Sequence, residues 1–229
     1  MIIYHGSPKK VDVPVYGVGS KENDYGQGFY CTQSNDLAKE WACPTVQSGF
    51  SNKYELDMDD LRVLHLNREG YHILNWIAIL LQNRIFSKRS PVARQANNYI
   101  LQEFLPEISG YDVIIGYRAD DSYFQYAESF VSNTLPLRSL NKALRLGKLG
   151  EQTVVISEKG FARLKFTDAY PVDKSVYYPK FLDRDTKARD TYRKEIKKSK
   201  SYRDDIFVLD ILREEMSNDD PRIQRILFE

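Results

Sequence analysis

The stretch Gly26-Gln27-Gly28-Phe29-Tyr30-Cys31-Thr32 (GQGFYCT, residues 26–32) sets two glycines one residue apart directly before an aromatic pair. Such a stretch has two readings. In one, the glycines make a bulge or tight turn at the head of a short strand over 28–32, with Phe29 in the core. In the other, they leave the backbone bare so that it can lie against a flat ligand, next to Tyr30. Downstream, Ser34 or Asn35 caps a predicted helix that runs to about Ala42 and stops near Pro44.

Upstream, Met1 to His5 has the apolar character of a short buried strand, ended by Gly6-Ser7-Pro8. Further on, Lys53 to Leu56 and Leu61 to Leu66 predict two strands joined by the acidic turn Asp57-Met58-Asp59-Asp60. The period then changes. Ile73, Leu74, Ile77, Leu80 and Leu81 fall at helical spacing within 71–85, and Pro91 opens a second helix to Phe104. Asp112 to Gly116 predicts a strand, Asp120 or Asp121 the cap of a helix through Phe130, and Ser139 to Leu146 a short helix. The β-branched run Thr153 to Ser157 and the partly alternating run Phe161 to Val172 predict two further strands, and helices follow over about 182–199 and 206–216. Strands at both ends of a helical insert, followed by a helical tail, make an α+β layout. The expected division is a domain over 1–172, with an insert at about 70–106, and a charged extension over 173–229.

Composition narrows the classes. The 229 residues suit one large domain, or one domain with an appendage. A net charge of +1 argues against a globally basic nucleic-acid binder. Residues 174–205 nevertheless carry eleven Lys/Arg against six Asp/Glu, either a solvated helix face or a contact for an acidic partner. The two cysteines, Cys31 and Cys43, match no common zinc pattern and suit a reducing compartment. His65 and His72 have no partners at metal spacing. With no apolar run of membrane length and no leader pattern at the start, the expectation is a cytoplasmic chain that makes no membrane contact and holds no metal.

Three stretches carry candidate chemistry: Tyr4-His5-Gly6-Ser7, GQGFYCT, and Gly150-Glu151-Gln152-Thr153-Val154-Val155-Ile156-Ser157. Together they resemble the ADP-ribosyltransferase superfamily, in its branch with a His–Tyr–Glu constellation. More narrowly, the YHGS start, the DYGQGFYCT segment, Trp41-Ala42 and YDVIIGYRADDSYF (111–124) resemble a bacterial family of that superfamily catalogued as a domain of unknown function, DUF3990-like. The resemblance covers about residues 1–172. It implies a split β-sheet core with a helical insert and a helical C-terminal tail, NAD+ as substrate, and transfer of ADP-ribose to a macromolecule. It also makes a toxin or effector role, and an antitoxin-like partner, part of the expectation. The basic segment 174–205 is a candidate contact for a protein or nucleic-acid acceptor.

Cleavage of the nicotinamide–ribose bond passes through an oxocarbenium-like state, as glycoside cleavage does. The resemblance implies that His5 bonds a ribose hydroxyl, Gly6 offers its N–H and C=O to the nicotinamide amide, and Tyr30 stacks on the ring. Ser7, Gly28 and Arg118 join the expected NAD-binding set, Arg118 either as a pyrophosphate contact or as a partner of Asp120 and Asp121. Asp120 and Asp121 are either helix caps or a source of carboxylate at a strand end. The family's catalytic glutamate falls on Gln152, with Glu151 one residue earlier. Adjacent strand residues face opposite sides, so only one of the two faces inward. An inward Glu151 keeps ordinary carboxylate chemistry. An inward Gln152 bonds the ribose but supplies no charge, which favours a binding module without turnover; NAD+ hydrolysis is related chemistry on the same site.

Overall fold

A computed structural model describes residues 1–68, 70–86, 90–118, 121–146, 151–198 and 204–228. The described residues form an α+β arrangement with two β-sheets and nine helices. They fall into two compact units: Met1–Asn67, Ile108–Arg118 and Leu149–Lys187 make the first, and Arg68–Glu107, Ala119–Lys148 and Ala188–Glu229 the second. The expected insert thus has company. The helices after residue 119 and the later part of the tail belong to the same unit as residues 68–107. No described helix is long and apolar enough to cross a membrane.

The first unit holds both sheets. One has the order β1 (Ile2–Ser7), β3 (Gly49–Leu56), β7 (Leu164–Val172), all antiparallel. The other has the order β2 (Phe29–Cys31), β6 (Glu151–Val155), β5 (Val113–Tyr117), β4 (Val63–His65), with β4 parallel to β5 and the remaining pairs antiparallel. Side chains alternate along each strand. On one face of the second sheet, Phe29, Cys31, Val113, Ile115 and Val155 meet Ile3, Tyr54 and Leu56 of the first in one apolar cluster. Within it the rings of Phe29 and Tyr54 pack edge to face at 5.3 Å.

Helix α1 (Asn35–Ala42) begins at Ser34, whose hydroxyl accepts from the Leu37 N–H. The helix lies on β1 and β3. A Cβ at Gly6 would come 2.8 Å from Trp41 Cβ and collide with the Ala38 carbonyl, and one at Gly49 would collide with the Ala42 carbonyl. Glycine at both positions is what lets the helix lie so close to the strands. The sequence pattern predicts a strand from Phe161, whereas Glu158–Ala162 form a short helix, α6, before β7 begins at Leu164. The cause is local: Ser157 accepts from the Gly160 N–H at 2.9 Å and donates to Asp112 at 2.6 Å, an N-cap that starts a helical turn.

The second unit is helical: α2 (Ile73–Asn83), α3 (Pro91–Phe104), α4 (Asp121–Val131), α5 (Leu137–Leu146), α8 (Val208–Arg213) and α9 (Pro221–Phe228). Its core draws Trp76, Ile100, Phe104, Tyr126, Phe130, Leu140 and Ile211, all nearly or fully buried. His72 caps α2. Its Nδ1 accepts from the Leu74 N–H at 3.3 Å, and its Nε2 donates to the Asn218 carbonyl at 3.2 Å. Helix α7 (Lys174–Lys198) runs from the first unit's residues into the second's. In its first part Arg184 pairs with Glu40 of α1 at 2.6 Å. Of the basic run 197–203, residues 199–203 lie outside the described residues.

Candidate functional site

β1 and β2 touch at one bridge and then part. Tyr4 and Thr32 exchange both backbone hydrogen bonds, at 2.7 and 2.9 Å. Continued two residues in that antiparallel register, Gly6 would stand opposite Tyr30 and bond its carbonyl. The imidazole of His5 takes that carbonyl instead: Nδ1 donates to the Tyr30 oxygen at 2.7 Å. Met1 exchanges bonds with Leu56 of β3, through its own amino group at 2.7 Å and its carbonyl at 2.8 Å. The odd residues of β1 therefore bond to β3, and the even ones turn N–H and C=O the other way. Gly6 thus turns a donor and an acceptor, side by side, away from β3 and toward the β2 side.

A carbonyl only accepts, so the hydrogen of the His5 ring sits on Nδ1 and the lone pair on Nε2. Burial pushes the imidazole pKa below its ordinary 6.5, with the bond to the Tyr30 carbonyl opposing part of that shift. The ring packs against Phe29 with centroids 4.4 Å apart. His5 is thus a neutral, fixed imidazole whose remaining nitrogen is an acceptor.

Tyr30 is on the opposite face of β2 from Phe29. Its hydroxyl accepts from the Tyr25 N–H at 3.0 Å and donates to the Gly26 carbonyl at 2.7 Å. Gly26 has φ 74°, in the left-handed region, so the turn needs a glycine there. Gly28 has a different reason. A Cβ there would stand 2.7 Å from Val154 Cγ1 and 3.0 Å from the Val155 carbonyl, so glycine makes room for β6.

The register of β6 resolves the pair at its entrance. Tyr30 is opposite Val154, so Gln152, two residues along, shares the face that carries Tyr30. Gln152 is 4 % exposed and donates from Nε2 to the Asp24 carboxylate at 2.9 Å. Glu151 turns to the other face, is exposed, and accepts from Asn67 Nδ2 at 2.6 Å. Asp24, itself 5 % exposed, escaped the sequence argument. Its one signal there is its place beside the glycine turn, since its partner lies 128 residues away.

The other predicted residues fall as follows. Ser7 donates to the Lys9 carbonyl and accepts from Asn52 Nδ2 at 3.3 Å, which shapes the turn after β1. Arg118 lays its guanidinium over the Trp41 ring at 4.5 Å, and Trp41 is the residue whose Cβ flanks Gly6. Asp120 lies outside the described residues, and Asp121 is the first residue of α4, in the second unit. His5, Gly6, Ser7, Gly28, Tyr30, Gln152 and Arg118 thus belong to the first unit, together with Asp24 and Trp41. Chemically, the end of the β1–β2 pairing offers a paired backbone donor and acceptor at Gly6 and a neutral imidazole acceptor packed on Phe29, while the aromatic ring of Tyr30 lies on the opposite face of β2. A buried amide held by a carboxylate lies on the same sheet face as that ring.

Residues 1–166 match the family model described as "Protein of unknown function (DUF3990)", and the chain belongs to that family. No curated protein and no solved structure matches it.

Proposed function

We propose that the chain is a mono-ADP-ribosyltransferase that cleaves NAD+ at the nicotinamide–ribose bond and passes ADP-ribose to a macromolecule. One observation carries the proposal: the β1–β2 pairing is a single bridge at Tyr4–Thr32, with His5 on the Tyr30 carbonyl and the Gly6 N–H and C=O turned away from β3. A carboxamide needs such a pair, one donor for its oxygen and one acceptor for its nitrogen. The ring of Tyr30 supplies a flat face, and His5 Nε2 accepts from a ribose hydroxyl. Arg118 is the candidate for the pyrophosphate. The core is then a split sheet of the ADP-ribosyltransferase kind, and the basic segment 174–205 is where an acceptor is met.

The second reading is a module that binds NAD+ or ADP-ribose without turnover. It is favoured by Gln152 rather than Glu151 being the residue that shares Tyr30's face. An amide there bonds a ribose but brings no charge of its own.

The test is incubation of the purified chain with NAD+ labelled in its adenylate half and a cell lysate, following nicotinamide release and label transfer together. The transferase reading expects label on protein or nucleic acid, lost in His5→Ala and Tyr30→Ala. Nicotinamide release without transfer points to hydrolysis. Calorimetric NAD+ binding with neither signal supports the binding module.

A further inference from the structure

We propose that Asp24 is the source of negative charge at this site, acting through Gln152 as a positioning residue. The inference rests on the NAD-cleaving reading above and concerns how a site with glutamine at that position works. Its starting point is the contact of Gln152 Nε2 with Asp24 Oδ2 at 2.9 Å, between two side chains each about 95 % buried. A carboxylate only accepts, so the Gln152 atom that faces it is the nitrogen; this contact fixes the amide's orientation. The same nitrogen leans toward the Tyr117 carbonyl at 3.5 Å. With its NH2 end held by two acceptors, Gln152 turns its carbonyl oxygen away from both.

That oxygen is the group available to a ribose hydroxyl on the Tyr30 face. The carboxylate behind it polarises the amide, which makes the oxygen a stronger acceptor and places a negative field across one amide from the ligand. In the reaction the C–N bond to nicotinamide breaks, and its electron pair leaves with neutral nicotinamide. Positive charge builds on the anomeric carbon and ring oxygen. An acceptor hydroxyl, amine or water then bonds that carbon and loses its proton to solvent. Asp24 lowers the barrier by opposing the positive charge, and it neither gives nor takes a proton. Tyr25, next to it, donates its hydroxyl to the Tyr117 carbonyl, so the turn bearing Asp24 is tied to β5 as well as to Gln152.

The test compares nicotinamide release by the full chain and by Asp24→Asn, Gln152→Glu and the double swap Asp24→Asn/Gln152→Glu. The single Asp24→Asn change is expected to lower kcat about tenfold or more with KM for NAD+ little changed. The double swap exchanges carboxylate and amide across the same hydrogen bond. It keeps the buried pair satisfied even if the single variant folds poorly, and it is expected to restore kcat to the wild-type range or above. Gln152→Glu alone sets two carboxylates face to face, so one takes up a proton and the rate gains a pH dependence that the swap lacks. A folded Asp24→Asn with wild-type kcat, or a folded double swap that stays as slow as Asp24→Asn, overturns the inference while leaving the NAD-cleaving reading in place. Absence of nicotinamide release from the wild-type chain overturns both.

Discussion

His5 donates from its ring to the backbone carbonyl of Tyr30 at 2.7 Å, where an uninterrupted ladder would have brought the Gly6 N–H. One side chain thereby both ends the strand pairing and fixes its own tautomer. Among the described residues this leaves the Gly6 amide and carbonyl off the strand ladders, groups that folded chains almost always pair with protein or water. A donor and an acceptor set side by side in this way suit a ligand with the reverse pattern.

Gly6→Ala is expected to damage the fold before it damages any site. The added methyl would collide with the backbone of α1 at Ala38 and Ala42, and neither is a flexible side chain that could swing aside. A loss of about 1–3 kcal/mol, the usual cost of overpacking, is expected in urea unfolding. A wild-type midpoint would show that α1 does not lie this close to β1.

Tyr30→Phe separates ring from hydroxyl. It removes the group that accepts from Tyr25 and donates to Gly26, leaving the turn at 24–28 short of two bonds. The expected cost is about 1–2 kcal/mol by thermal or urea unfolding. On the proposed function, NAD+ affinity falls less in Tyr30→Phe than in Tyr30→Ala, since the aromatic face survives. Equal affinity losses in the two variants would place the hydroxyl, not the ring, at the ligand.

Acid should weaken the fold in a predictable window. Burial lowers the pKa of both His5 and His72 below the ordinary 6.5. The unfolded chain then takes up the protons first, so stability is complete above about pH 6.5 and falls as pH drops through the folded values. His72 has a specific reason to resist a proton: Nδ1 is the acceptor that caps α2. His72→Asn keeps a good N-cap acceptor and removes the titration. Its stability is expected to depend less on pH between about 6.5 and 5 than the wild type's. Parallel curves would remove His72 from the account.

Asp112→Ala is expected to cost about 2–3 kcal/mol, with unfolding in urea as the measure. The carboxylate accepts from Ser157 at 2.6 Å and from the Arg62 N–H at 2.8 Å, and so ties β4 and the cap of α6 to β5. Burial raises its pKa, but these bonds and Lys159 outweigh it, and the net shift is downward from 3.8. The carboxylate's contribution is therefore present above about pH 3.8 and lost below it, and Asp112→Ala should flatten acid unfolding in that range.

Much of the fold could be read locally. Ser34 and Pro91 mark helix starts by their own chemistry, and α1 and α3 begin where those residues put them. The α+β character followed from the change of period at residue 71. Sheet order did not: β3 and β4 are neighbours in sequence yet lie in different sheets, and β4 pairs with β5 across about fifty residues. Such pairings depend on contacts that no local pattern encodes. The site divides in the same way. His5, Gly6 and Tyr30 stood out as residue types at suggestive spacing, and the structure joins the His5 ring to the Tyr30 backbone carbonyl beside Gly6. The choice between Glu151 and Gln152 needed the pairing of β6 with β2, about 120 residues away in sequence, which only folding sets. Alternation alone allowed either residue to face inward.

The central claim is that Gly6 reserves its N–H and C=O for a carboxamide. Its most direct test is a titration of glycine-15N-labelled chain, which has 12 glycines, with nicotinamide and then NAD+, following each amide by two-dimensional NMR. The account predicts that the Gly6 signal moves strongly downfield with either ligand, while Gly70 and Gly110, on distant turns of the sequence, hold still. Saturating NAD+ that leaves Gly6 unmoved, or nicotinic acid shifting it as strongly as the carboxamide benzamide, would contradict it.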